Sequence, residues 1–285
     1  MSAVIADGKT LGLEIQESLL DRVSLLRSEG VEPQLAVVIA GDDPASHVYV
    51  HNKERACERC GIKSMRIDLP PTSALDDILN VVEELNSDAS VHGILVQSPA
   101  PEGVDELAIA STISPEKDVD GFHPTNLGKL VQGDNSGLLP CTPSGVMRML
   151  EESSANLSGA KALVIGRSRI VGMPMALMLA QRGADATVTI AHSRTDDLAG
   201  LCREADVVVA AIGSPHTVKP EWIKPASFVV DVGISRLEGG TLAGDVDPRV
   251  ADVAGWMTPV PGGVGPMTIA MLMVNTVRAA ETQST

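Results

Sequence analysis

Aromatic residues are scarce: two phenylalanines, one tyrosine and two tryptophans amount to 2% of 285 residues. Any core must therefore be built from Val, Ile, Leu, Ala and Met, and hydrophobic residues at 44% supply enough of them. That composition suits parallel strands covered by helices on both faces. Basic residues are also in deficit, 22 against 37 acidic ones, for a net charge of −15. Such a surface argues against nucleic acid or an acidic membrane as a partner. An anionic ligand would have to be held by local basic residues and backbone amides. No apolar run approaches membrane-spanning length, and the first residues lack the basic flank and apolar core of a secretory signal. The expectation is a cytoplasmic protein. Only four cysteines occur, at 57, 60, 141 and 202. Cys57-Glu-Arg-Cys60 has no second CxxC to complete a zinc site and falls late in a helical stretch, so both are read as ordinary reduced thiols. No metal is expected. The length is long for one core and comfortable for two domains.

What the chain does contain is organised around Ser46-His-Val-Tyr49-Val-His-Asn-Lys53, in a helical stretch after the turn Gly41-Asp-Asp-Pro44. Tyr49 and Lys53 are four apart, which puts phenol and ammonium on one face, one turn from each other. A lysine beside a tyrosine in a partly apolar pocket can lose its proton near neutral pH, as a general acid or base must. Taken alone, the spacing favours a surface lysine beside a packing tyrosine. The remainder of the chain changes that reading.

Leu11 to Ser28 reads as one amphipathic helix. Leu35–Ala40 is a buried strand closed by Gly41, and the Tyr49/Lys53 helix runs to Gly61. Ser64–Leu69 is a second strand, Ala74–Asn86 a helix and Gly93–Gln97 a third strand. Strand and helix in alternation specify a parallel sheet. Ligands bind at the carboxyl ends of such strands. Gln97 ends one strand and Gly41 leads from another towards Tyr49 and Lys53, so these three are predicted to converge. Pro115-Glu-Lys-Asp118-Val-Asp120-Gly-Phe-His-Pro124 reads as a functional loop, with turn capping open as the alternative for both aspartates.

Pro140-Cys-Thr-Pro143 opens a helix, Ser144–Glu152, after which the pattern restarts. Strands are predicted at Lys161–Gly166, Ala186–Ala191, Asp206–Gly213 and Phe228–Ile234, with a helix at Met175–Gln181. This is a dinucleotide-binding layout. Its turn, Gly166-Arg167-Ser168-Arg-Ile-Val-Gly172, is not G-x-G-x-x-G and is weak as a lone motif. Its place between a strand and a helix N-terminus suits a phosphate. After the second strand, His192-Ser193-Arg194-Thr195 stands where an NAD enzyme often has an acid. Hydroxyls and a guanidinium, with Arg167 nearby, suit a 2′-phosphate and favour NADP. Finally, Thr258-Pro-Val-Pro261-Gly262-Gly263-Val-Gly-Pro-Met-Thr268 specifies a rigid turn that a ligand can approach closely, with Thr268 capping a last helix, Ile269–Ala280.

Together these stretches resemble the bifunctional methylenetetrahydrofolate dehydrogenase/cyclohydrolase family. The resemblance runs from Gly41 to the final helix. It is carried by Tyr49-Val-His-Asn-Lys53, Gly93-Ile-Leu-Val-Gln97, Lys117-Asp-Val-Asp-Gly121, Pro140-Cys-Thr-Pro143, Gly166-Arg-Ser168 and Pro261-Gly-Gly-Val-Gly-Pro-Met-Thr268. Ser98 and Ala100 depart from the family, which usually has leucines there. The resemblance implies an α/β fold of two domains with the active site in the cleft between them. Residues 1–143 would form a folate-binding catalytic domain, completed by the C-terminal helix 268–285, and 144–267 a Rossmann-type NADP-binding domain. It implies oxidation of 5,10-methylenetetrahydrofolate by NADP, then hydrolysis of the methenyl product to 10-formyltetrahydrofolate, as part of one-carbon metabolism. Lys53 would be the general acid/base, Gln97 its hydrogen-bond partner, Tyr49 a wall of the folate pocket and Asp120 the acceptor for the pterin's N–H groups. Pro261, Gly262 and Gly263 would line the folate site. Gly166, Arg167, Ser168, Ser193 and Ile234 would contact the cofactor. A homodimer is implied.

Three other readings compete. A short-chain dehydrogenase also uses Tyr-x-x-x-Lys, but there the pair follows the cofactor glycines, whereas here it precedes them. A monofunctional NAD(P)-dependent dehydrogenase would lack the hydrolytic step, and a non-catalytic NADP sensor would not need Tyr49, Lys53, Gln97 and Asp120. A fused formyltetrahydrofolate ligase is not expected, because Gly8-Lys-Thr10 is only the tail of a phosphate loop, with Ala3 in place of its first glycine.

Overall fold

The computed structural model describes residues 2–284. The chain begins with strand β1 (Val4–Ile5) and helices α1 (Gly8–Ser18) and α2 (Leu20–Ser28). The single helix expected over Leu11–Ser28 is thus two. Asp7 starts the first early by accepting the Lys9 and Thr10 amides at 3.1 and 2.9 Å. The break falls at Leu19, which is buried.

The chain divides into two compact units. One comprises Leu13–Cys141 and 269–284. Its strands are β2 (Gln34–Ala40), β3 (Lys63–Leu69) and β4 (Gly93–Val96), and its helices α3 (Pro44–Cys60), α4 (Leu75–Ser87), α5 (Glu106–Thr112) and α6 (Pro124–Gln132). The sheet is parallel, in the order β3-β2-β4. Central β2 is buried on both faces, as its unbroken apolar run requires. Leu35, Val37 and Ile39 pack with Leu19, Val23, Leu26, Met273 and Val277. Ala36 and Val38 turn the other way, onto Val82, Leu85 and Ile113. Full burial of each such Val, Leu or Ile stabilises by roughly 1.5–3 kcal/mol. Helices α5 and α6 were not foreseen. Each is short and capped locally, by Asp105 accepting the Leu107 amide and by His123 Nδ1 accepting that of Thr125.

The other unit comprises residues 2–12 and Thr142–Thr268. The remaining elements are α7 (Cys141–Glu152), β5 (Lys161–Ile165), α8 (Gly172–Ala180), β6 (Thr187–Ala191), α9 (Leu198–Glu204), β7 (Val207–Ala210), β8 (Phe228–Asp231), β9 (Ser235–Arg236), β10 (Leu242–Ala243), β11 (Trp256–Met257) and α10 (Val264–Gln283). Six strands form one parallel sheet, β1-β11-β8-β7-β5-β6. The chain leaves β5 for β6 on one side and returns to β7 on the other. The order therefore reverses between β5 and β7. Residues 2–12 fall in this unit, where β1 pairs with β11. A two-residue strand carries no periodicity from which to foresee that. Thr268 does not cap the last helix. It lies inside α10, where its hydroxyl reaches Val264 O at 3.3 Å and Thr142 Oγ1 at 3.0 Å.

Candidate active site

In the three-stranded sheet the strand order reverses between β2 and β4, and the carboxyl ends at such a reversal form a natural crevice. Gly41, with φ +129°, turns the chain out of β2. Asp43 then accepts the Ser46 amide and hydroxyl at 3.0 and 2.9 Å and so caps α3. The helix is started where it brings Tyr49 and then Lys53 towards the end of β4. There Gln97 follows Val96, and Lys53 Nζ donates to Gln97 Oε1 at 2.8 Å. Lys53 is only 8% exposed. Burial pushes its pKa down, opposed chiefly by the charge of Asp120. Asp120 is half-buried, and burial raises its carboxyl while the Lys53 ammonium lowers it. Tyr49 is 37% exposed, and burial of the remainder raises its phenol. The structure therefore brings Lys53, Gln97 and Asp120 into one electrostatic group, with Tyr49 one turn away on the same helix.

Asp120 owes its position to a framework that the sequence did not reveal. Asp118 is buried, and its carboxylate accepts Phe122 N, His123 N and Asn126 Nδ2 at 3.1, 2.8 and 2.8 Å. Of the two readings open for Asp118, the geometry shows turn capping. Burial raises it to about 7. Gly121 has φ +77°, and a Cβ there would lie 2.4 Å from Leu139 C, so no other residue fits. Asn275, on α10, donates to Val119 O and Leu139 O at 2.8 Å each, clamping both sides of this turn. Cys141 Sγ donates to Val119 O at 3.1 Å and Cys141 N to Asp120 O at 3.3 Å. Alternating aspartates and one asparagine in an apolar helix were the available signals.

Cys57 and Cys60 are buried free thiols, raised to about 12 by burial. They pack against Met273 Sδ and Gln16 O at 3.7 and 3.5 Å. No cluster able to hold a metal occurs among the described residues. No helix among them is long and apolar enough to cross a membrane.

In the six-stranded sheet the reversal lies between β5 and β7, and the turn after β5 is the one expected to receive phosphate. Gly166 has φ +132°, and a Cβ on it would lie 2.2 Å from Ala211 O. A Cβ on Gly172 would lie 2.2 Å from Gly166 O. Only glycines allow this close turn. Ser168 Oγ accepts the Val171 and Gly172 amides at 3.1 and 3.2 Å, capping α8 and leaving its own proton for a ligand. Arg167 is exposed, with no ion pair among the described residues. After β6, His192 N donates to Thr195 Oγ1 at 2.9 Å and Arg194 N to His192 Nδ1 at 3.2 Å. This tight turn leaves Ser193 and Arg194 exposed. Ile234 follows β8 and is 46% exposed. Two exposed guanidiniums, a hydroxyl and a glycine turn at a helix N-terminus fit a dinucleotide with an extra phosphate. Pro261, Gly262 and Gly263 form the turn that leads into α10; Gly263 is fixed by Gly263 N donating to Pro259 O at 3.0 Å.

Comparison with known proteins agrees with this geometry. The family model for the tetrahydrofolate dehydrogenase/cyclohydrolase catalytic domain matches residues 6–120, and that for the NAD(P)-binding domain of the same family matches residues 140–284. The bifunctional protein FolD of Moorella thermoacetica is 51% identical over 281 residues, 98% of this chain and 99% of its own. The crystal structure of the FolD methylenetetrahydrofolate dehydrogenase/cyclohydrolase from Campylobacter jejuni is 47% identical, with a TM-score of 0.95 over 99% of each chain. The Trypanosoma brucei enzyme, solved with NADP cofactor and inhibitor, is 39% identical with a TM-score of 0.93, over 99% of this chain and 98% of that one. Matched by both family models and by relatives along its whole length, the chain belongs to the tetrahydrofolate dehydrogenase/cyclohydrolase family.

Proposed function

We propose that this protein oxidises 5,10-methylenetetrahydrofolate to the methenyl form with NADP and then hydrolyses that product to 10-formyltetrahydrofolate, with Lys53 as the acid/base of the second step. When bound, NADP accepts a hydride from the bridging carbon of the folate. The observation that carries the hydrolytic reading is the buried Lys53 amine, lowered by burial and held by Gln97 at 2.8 Å beside Asp120. A lysine with a lowered pKa is suited to take one proton from the water as its oxygen bonds to the methenyl carbon and to return it to N5 as the C–N5 bond breaks, the second water proton leaving to solvent as the formyl C=O forms. Gln97 fixes the rotamer of Lys53. The Asp120 carboxylate is suited to accept two N–H groups of the pterin. Tyr49, 37% exposed one turn from Lys53, borders the substrate. Hydride transfer needs alignment more than proton transfer, so the chain's contribution there is positioning.

Gly166 and Ser168 are assigned to the pyrophosphate, Arg167 and Ser193 to the 2′-phosphate and Ile234 to an apolar contact with the dinucleotide. Pro261, Gly262 and Gly263 offer a rigid backbone to a ligand. The net charge of −15 supports the absence of nucleic-acid or acidic-membrane partners, and the cytoplasm is the proposed location. Strand β6, at a sheet edge with Thr189 and Ile190 exposed, supports pairing with a second copy.

The test is a coupled absorbance assay. Protein with methylenetetrahydrofolate and NADP should form reduced cofactor, and supplied methenyltetrahydrofolate should disappear faster than in buffer. Reduction without accelerated methenyl loss would leave a dehydrogenase only. Neither signal would leave a cofactor-binding protein without this chemistry.

A further inference from the structure

Two buried aspartates outside the residues assigned above interlock. Asp245 has 0% exposure and Asp231 2%. Asp245 Oδ2 accepts the Ile212 and Gly213 amides at 2.5 and 3.0 Å, and its Oδ1 accepts that of Ser214 at 2.8 Å. Asp231 in turn seats Asp245. Its Oδ1 accepts Asp245 N and Gly233 N at 2.9 and 3.1 Å, and its Oδ2 accepts Val246 N at 2.9 Å. A Cβ on Gly233 would lie 2.2 Å from Asp245 Cγ, and one on Gly244 would lie 1.9 Å from Asp231 Oδ2. Each carboxyl therefore sits over the other's glycine. Asp231 N donates to Thr258 Oγ1 at 2.7 Å, which ties in the start of the Thr258–Thr268 stretch.

Burying two acids costs stability, and hydrogen bonds from three amides to each offset it. What they secure is telling. Gly213 and Ser214 are exposed and Ile212 is half-buried, so Asp245 directs its three bonds from the interior to a surface loop and its base. That loop follows β7 at the reversal of strand order, and Ala211, one residue before it, closes on Gly166. It borders the crevice in which such sheets bind dinucleotides.

We propose that Asp245, seated by Asp231, is a positioning residue for the cofactor, fixing Ile212–Ser214 in its binding shape before the dinucleotide arrives. The inference rests on the reading of that crevice as the NADP site. Asp245→Asn keeps the shape and replaces one oxygen by an amide that faces a backbone N–H. NADP should then bind about tenfold more weakly or worse, by calorimetry and by KM. KM for the folate and hydrolysis of supplied methenyltetrahydrofolate should stay within about twofold of wild type. A fall of both activities in equal proportion with NADP affinity unchanged would mean a structural role only and overturn the proposal, as would no change at all. Hydrogen exchange of the wild-type protein covers a variant that fails to fold. The 212–214 amides should be protected without NADP; rapid exchange that only NADP slows would overturn the proposal. Calorimetry decides independently of turnover, since NADP binding weaker in the variant than in wild type supports the inference even if the wild-type protein shows no folate oxidation.

Discussion

Replacing Lys53 by methionine should separate the two reactions. Methionine has nearly the length of lysine and no charge, so it fills the same space beside Gln97. Two effects on stability oppose each other. Gln97 Oε1 loses its donor, a cost of about 1–3 kcal/mol if the atom stays dry. At the same time a buried ammonium is removed whose pKa burial has already pushed down. A base with a lowered folded-state pKa works against folding at any pH below its ordinary unfolded-state pKa, so its removal at pH 7 is favourable. Net stability should change little, and the melting temperature should move by only a few degrees. Hydration should suffer far more. A positioned general acid/base supplies about 10²–10⁴ in rate, or roughly 3–5 kcal/mol of barrier. The assay is loss of supplied methenyltetrahydrofolate in unquenched buffer, with the uncatalysed rate subtracted, beside calorimetric titration with NADP. The expected result is hydrolysis down by at least a hundredfold with NADP affinity unchanged. Full hydrolysis in the variant would refute Lys53 as the essential group. Lost NADP binding would show that the substitution had damaged more than the site.

Arg167→Ala should weaken NADP by about 10–100-fold while hardly affecting NAD, because a charge-assisted bond to phosphate contributes about 1.5–3 kcal/mol; equal losses in kinetic titrations with both cofactors would remove the 2′-phosphate assignment. Asn275→Ala strips the amide donor from Val119 O and Leu139 O, so destabilisation of about 2–4 kcal/mol is expected in denaturant titrations, together with slower hydration as the Asp120 turn loosens. Asp118 has a folded pKa raised to about 7, so its stabilising contribution is full below the ordinary carboxylate range and lost as pH rises through about 7. Asp118→Asn removes that loss. Between pH 5 and 8 the variant should gain about 2–3 kcal/mol relative to wild type in denaturant midpoints, and an unchanged difference would contradict the assignment.

The sheets were legible because their strands are continuous apolar runs ended by glycine, as at Leu35–Ala40 and Lys161–Gly166. The approach of Lys53 to Gln97 was legible for a related reason: Gln97 follows the end of β4, the helix carrying Lys53 starts from the end of β2, and parallel topology brings those strand ends together. Local chemistry was harder to read. Thr268 looks like a helix cap, yet the helix begins at Val264, because its glycine and proline fit a first turn as well as a loop. Helices α5 and α6 are too short for a periodic signal and depend on single caps. Asp245, Asp231 and Asn275 gave no motif, because their partners are backbone amides and carbonyls, which every residue has. Their roles follow from where the chain returns in space.

The most direct measurement uses methylenetetrahydrofolate with both hydrogens of the bridging carbon replaced by deuterium. If oxidation and hydration act in turn on that carbon, one deuterium appears in the reduced nicotinamide and the other in the formyl group of the product, by mass spectrometry. Unlabelled reduced cofactor, or a labelled cofactor with no labelled formyl product, would contradict the account.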